Sequence, residues 1–115
     1  MKFSAVVLIV PEEQENSAVD IVKEAGATGV TLIRAKGLGL NERKTFLGLG
    51  LERKESVLLC VVEKNLSVRI LKQIKKQLDL GISGAGIAFS VPLENLVGLR
   101  LAQLQIFKKE VEENL

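Results

Sequence analysis

Four short apolar runs, at residues 3–10, 30–35, 56–63 and 87–91, constrain this chain most, because two stretches of helical period separate them in a fixed order. Each run has the length of a strand and is too short for an independent helix. After the first run, Ala18, Ile21, Val22 and Ala25 recur at i, i+3, i+4 and i+7, with Asn16 or Ser17 as the expected cap and Gly26 as the expected stop. After the third, Ile70, Leu71, Ile74 and Leu78 make a second stripe, started by Asn65 or Ser67, with Lys72, Lys75 and Lys76 facing away as a solvated surface. The order is β-α-β-β-α-β, and right-handed crossovers then leave few topologies. The expected fold is α+β: a ferredoxin-like, four-stranded antiparallel sheet with both helices on one face. A third stripe, Leu104, Phe107 and Val111, adds a C-terminal helix over residues 101–115. The first strand reads as central and buried on both faces. The sheet face opposite the helices would be uncovered, and strands this apolar cannot stay in water; that face is expected to pack against other subunits.

Two glycine concentrations interrupt the pattern. Residues 36–55 form a long loop with four glycines and charges of both signs. Within it Leu47, Leu49 and Leu51 alternate with Gly48 and Gly50, which predicts a short strand over 46–51 beside 56–62. Residues 52–55 would be its connecting turn, and 36–45, with Glu42, Arg43 and Lys44, the tip. The second concentration, Gly81, Gly84 and Gly86, precedes the last strand, and Pro92 is expected to stop that strand. Glycine lets a backbone approach a ligand or a neighbouring subunit closely. Tight turns and close packing alone would produce the same pattern, and both readings stand at this point.

Composition excludes several functions. The chain has no His, which removes the commonest general base and metal ligand. Its single Cys60 lies in the run VLLCVV and reads as a buried structural thiol, leaving no metal-binding pair and no intrachain disulfide. A net charge of +2 and 3% aromatic residues, all Phe, argue against a nucleic-acid partner. No segment approaches the ~18 apolar residues of a membrane span, and residues 5–10 after Lys2 are too short for a signal peptide. A chain of 115 residues with 47% hydrophobic content suits one domain.

Three segments, in this order on this frame, resemble the nitrogen-regulatory PII signalling superfamily, and its divergent PII-like members above all. GVTLIRAKGLG at 29–39 resembles the second strand running into the Gly-x-Gly opening of the T-loop. GAGIAF at 84–89 resembles the glycine-rich B-loop, and SVPLENLV at 90–97 the segment after it. The resemblance covers about residues 3–100. It implies a PII-like domain over 1–100, with a T-loop at about 36–55 and a B-loop at about 81–86, followed by an amphipathic helix at 101–115. It implies a cytoplasmic homotrimer in nitrogen regulation and signal transduction. Clefts between subunits would take a small effector, an adenine nucleotide being the candidate, and no further cofactor or metal. The T-loop would dock on a membrane transporter or an enzyme, so that the protein reaches a membrane through its partner. Thr31, Gly37, Leu38, Gly39, Gly84, Gly86 and Arg100 fall at the family's ligand positions, and Glu42, Arg43 and Lys44 in the partner-binding loop.

The chain also departs from the family. Basic residues in and after the B-loop are replaced by Ile82 and Ile87, and the first of a C-terminal arginine pair by Gly98. The polar pair after Gly-x-Gly is Leu40 and Asn41, the loop is shorter, and without Tyr no loop tyrosine can be uridylylated. A triphosphate needs several compensating cations, so weak or no ATP binding is expected. Alternatives are a ligand-free trimeric adaptor and an acylphosphatase-like enzyme on the same fold. The enzyme is disfavoured, because Pro11, Glu12 and Glu13 stand where an anion-cradling loop would follow the first strand.

Overall fold

The central strand of the sheet, β1 (Phe3–Pro11), alternates strictly between buried and half-buried residues. In the computed structural model, which describes residues 1–37, 45, 46, 49, 50, 53–78, 80 and 86–113, β1 lies between β5 (Arg53–Glu63) and β6 (Ile87–Leu93), and β2 (Thr31–Gly37) pairs with the far side of β5. The order is β2-β5-β1-β6, and every neighbouring pair is antiparallel. Helices α1 (Glu15–Glu24) and α2 (Lys64–Gln77) cover one face. This is the expected ferredoxin-like arrangement, and the α1 stripe of Ala18, Ile21, Val22 and Ala25 is buried as its spacing requires.

The core lies between this face and the helices. Val6, Leu8 and Val10 of β1 and Leu58, Cys60 and Val62 of β5 meet Ile21 and Val22 of α1 and Leu66, Ile70 and Ile74 of α2. Leu71, at the margin of the α2 stripe, is half-buried against the core. Helix α3 (Leu101–Glu113) adds Phe107, fully buried, with its ring edge-on to Phe3 at a centroid distance of 6.1 Å. Burying such a side chain contributes roughly 1.5–3 kcal/mol, which ties α3 into the same core.

Several boundaries differ from the sequence expectation for identifiable reasons. A single 3₁₀ turn, Glu12–Gln14, leads from Pro11 into α1, so the helix is under way before Asn16 and Ser17, and neither caps it. Helix α2 is capped by Glu63 instead of Asn65 or Ser67: the Glu63 carboxylate accepts from the backbone N–H groups of Asn65 (2.8 Å) and Leu66 (3.3 Å). Ser67 lies inside the helix and donates to the Lys64 carbonyl at 2.6 Å. Pro92 does not stop the last strand; β6 is an edge, where a missing N–H is tolerated, and Pro92 stays in register with Ser4. Strand β1 is not buried on both faces of the single chain, because its odd-numbered residues remain half-exposed.

The long loop is shorter than the sequence suggested. β2 runs on to Gly37 and β5 begins at Arg53, so residues 53–55, expected in a turn, pair with 35–37. Leu49 does form extended structure, but β4 (Leu49–Gly50) pairs with β3 (Thr45–Phe46) as a separate two-stranded sheet, not with β5. A local hairpin needs less loop closure than a fifth strand of the main sheet. Leu47 and Leu51 lie outside the described residues.

Candidate functional site

Antiparallel pairing fixes which residues share each end of the sheet. Gly37 is opposite Arg53, Glu55 is opposite Pro11, and Ile9 is opposite Ile87, which follows Gly86. Gly37 and Gly86 therefore sit at the same, loop-bearing end, on the two outer strands, three strand spacings (about 14 Å) apart across the sheet and offset by about three residues along it. Thr31 is exposed, level with Leu59 and Val7 in the middle of the sheet. Arg100 belongs to the opposite end, beyond the Phe3–Leu93 pair. One chain does not gather these four residues into one cavity. Leu38, Gly39, Gly84 and the loop residues Glu42, Arg43 and Lys44 lie outside the described residues.

The glycines differ in what they are packed against. A Cβ on Gly86 would collide with the carbonyl oxygen of Ile9, a backbone atom that cannot swing aside. Close packing alone therefore requires glycine there. A Cβ on Gly37 would collide with the carboxyl group of Glu55, the far end of a side chain. Gly98 has φ +96°, which favours glycine in the turn into α3, so this position serves the backbone. Arg100 caps α3: its carbonyl accepts from the Leu104 N–H at 3.1 Å, and its own N–H donates to the Gln103 side chain at 3.1 Å. Beside it a 370 Å³ recess is lined by Lys2, Phe3, Glu94, Leu96 and Leu99, among others.

The side of the sheet away from the helices is apolar almost throughout. β2 presents Ile33 and Ala35; β5 presents Val57, Leu59 and Val61; β1 presents Ala5, Val7 and Ile9; β6 presents Ile87, Phe89 and Val91. The polar strand positions on this side are Thr31 and, at the loop end, Arg53 and Glu55. Ile87 is 56% exposed and Val91 44%. Monomeric soluble proteins rarely leave so continuous an apolar surface uncovered.

Two interactions near the loop end join residues too far apart in sequence to have been anticipated. Glu15, at the start of α1, accepts from Ser56 Oγ at 2.8 Å and from Arg34 Nη2 at 3.5 Å. The Ser56 hydroxyl, and secondarily Arg34, lower its carboxyl below the usual range against a smaller opposing effect of burial. The second interaction is the seating of Glu55 over Gly37. Burial pushes the Cys60 thiol up to about 11, so it is protonated and inert near neutral pH, as the apolar run implied. Among the described residues no cluster of Cys, Asp and Glu could hold a metal ion, and no helix is long and apolar enough to cross a membrane.

Residues 3–103 match the family described as Nitrogen regulatory protein P-II. A PII-like signalling protein of Thermus thermophilus superimposes with a TM-score of 0.61 at 22% identity, over 81% of this chain and 88% of its own. CPII, a PII-like protein of Thiomonas intermedia solved with ADP, AMP and bicarbonate, gives 0.64 at 14% identity over 86% and 98%. GlnK of B. subtilis in complex with ATP gives 0.66 at 20% identity over 84% and 88%. No curated protein matches the chain.

Proposed function

We propose that this chain, which belongs to the nitrogen regulatory protein P-II family, works as a cytoplasmic homotrimer that senses a small effector in clefts between its subunits and passes the signal to a partner through its loop. P-II proteins are regulatory signalling proteins and not enzymes, so the acylphosphatase alternative falls. The observation that carries the assembly is the open apolar face. It would be covered by the same face of neighbouring copies, and the exposed edges β2 and β6 would be protected in the process.

The effector reading follows from the separation of the site residues. Gly37 and Gly86 stand at one end of the sheet, while Thr31 and Arg100 stand elsewhere on the same chain. A site containing all four needs contributions from more than one copy. Leu38, Gly39 and Gly84 belong to the same proposal by sequence adjacency. CPII and GlnK hold adenine nucleotides, which makes an adenine nucleotide the first effector to test. Ile82, Ile87 and Gly98 in place of cations favour few phosphates or another anion over ATP. Glu42, Arg43 and Lys44 are the proposed contact with the partner, a membrane transporter or an enzyme.

Light scattering should give three times the 12.5 kDa chain mass; a monomer at micromolar concentration overturns the assembly and its site. Calorimetry against ATP, ADP, AMP, cyclic dinucleotides and bicarbonate then tests the effector. Binding by any of them should weaken by about 1.5–3 kcal/mol in Arg100→Ala, the usual worth of a charge-assisted hydrogen bond. A trimer that binds none of them is a ligand-free adaptor. Capture of a transporter lost on reversing the charges of Arg43 and Lys44 would then identify its working surface.

A further inference from the structure

A carboxylate guards the loop end of the proposed site. Gly37 ends β2 opposite Arg53, and Glu55 lies two residues further along β5, on the open side of the sheet. The Glu55 carboxyl group takes the space a Cβ on Gly37 would need. Its side chain is 21% exposed, and Arg53 Nη2 is 3.8 Å from its Oε1. Arg53 and Glu55, with Pro11, Glu13 and Lys54, line a recess of 240 Å³.

An anion approaching Gly37 on this side meets the carboxylate that covers it at short range. Like charges at such distances repel, and partial burial strengthens the effect. A hydroxyl or amino group meets an acceptor there instead. The Glu55 carboxylate also engages the Arg53 guanidinium, a group suited to bind phosphate. We infer that Glu55 determines specificity at the effector site: it selects ligands that bring hydroxyl or amino donors and few phosphates to the Gly37 end, a nucleoside monophosphate over a nucleoside triphosphate. This rests on the effector-sensing reading above.

The test is calorimetry of the full-length protein and of Glu55→Gln with AMP and ATP, each with and without Mg²⁺, on samples of verified mass and circular dichroism. The wild type should prefer AMP. Glu55→Gln should raise ATP affinity about ten-fold while changing AMP little. Glu55→Lys should raise it further and serves if the amide variant folds poorly. Adding Arg53→Ala to Glu55→Gln should remove the gain, and Glu24→Gln, exposed at the far end of α1 and outside the recess, should leave the preference unchanged. ATP binding by Glu55→Gln where the wild type binds no nucleotide also supports the inference. An unchanged ATP-to-AMP ratio in both Glu55 variants, with AMP still bound, sinks the role of Glu55 and leaves effector sensing standing. Tight, Mg²⁺-dependent ATP binding in the wild type, lost in Glu55→Gln, overturns the inference by making the carboxylate a cation ligand. No nucleotide binding by any of the proteins removes the nucleotide site and this inference with it.

Discussion

The two faces of the central sheet are built from equally apolar residues and meet opposite fates in a single chain. On β1, Val6, Leu8 and Val10 are sealed beneath the helices at 0–1% exposure, while their alternates Ala5, Val7 and Ile9 are only half-buried. On β5 the division repeats, with Leu58, Cys60 and Val62 inside and Val57, Leu59 and Val61 on the open side. Apolar content therefore says that a strand is to be covered, not by what. The helix-covered face is completed by the chain's own folding. The other face stays open in the single chain.

The sharpest way to break this comparison is to place a charge on each face in turn. Leu8→Asp buries an unpaired carboxylate among Leu58, Ile70 and Ile74, and we expect the chain not to fold, as read by lost cooperative urea unfolding. Phe89→Asp puts the same charge on the open face at a residue already 40% exposed. The expected outcome is a folded monomer, with native circular dichroism and one-third of the trimer mass. A folded trimer carrying Phe89→Asp would show that this face is not the subunit contact.

The glycines at the loop end sharpen the comparison at smaller cost. Gly86→Ala drives a methyl group into the Ile9 carbonyl, so β6 or the end of β1 must shift, at about 1–3 kcal/mol. Gly37→Ala meets only the Glu55 side chain, which can rotate, and should cost less in the same urea titration. Equal losses would mean that Glu55 is held as firmly as backbone.

Most of this architecture was legible because it is written in local periods. The alternation of β1 and the stripes of α1 and α2 specify which residues face the core, and the strand order follows from connection rules. Legibility failed where the deciding partner is distant or the local rule has an exception. Pro92 reads as a stop until β6 is known to be an edge. Glu63 reads as the last residue of a strand, and Ser67 as a better cap, until the turn aims the Glu63 carboxylate at the helix N–H groups. The pairing of residues 35–37 with 53–55 was hidden by glycines and charges that locally signal loop. Gly37 and Gly86 lie at the same end of the sheet, as the strand order and register dictate. Glu55 over Gly37 was invisible, because nothing within a few residues of either announces the contact.

The Glu63 cap gives the next smaller effect. Glu63→Ala removes the acceptor of two backbone N–H groups at a site only 5% exposed, and should cost about 1 kcal/mol, near the usual value for a lost cap. Glu63→Asp, whose carboxylate is a preferred cap for these same two N–H groups, should lose less. An unchanged midpoint in both variants would mean that water replaces the carboxylate.

The smallest expected effect is on pH dependence, and it concerns the contact that ties the loop-bearing strand to the helical layer. Glu15 accepts from Ser56 of β5 and Arg34 of β2, and its carboxyl is lowered from the ordinary 4.5, chiefly by the Ser56 hydroxyl. A carboxyl lowered in the folded state binds its proton less readily there than in the unfolded chain. Its stabilising contribution is therefore fully present above the ordinary value of 4.5 and is lost as pH falls from there through the lower folded value. Glu15→Gln keeps an oxygen that can accept from Ser56 and discards only the charge. The variant should be slightly less stable than the wild type at pH 7, and the difference should shrink toward zero as both are titrated below pH 4.5, in urea midpoints measured at fixed ionic strength. A difference that stays constant across that range would assign the loss to geometry. In that case the pairing of Glu15 with Arg34, whose side chain is 71% exposed, contributes nothing through its charge, as many surface ion pairs do not.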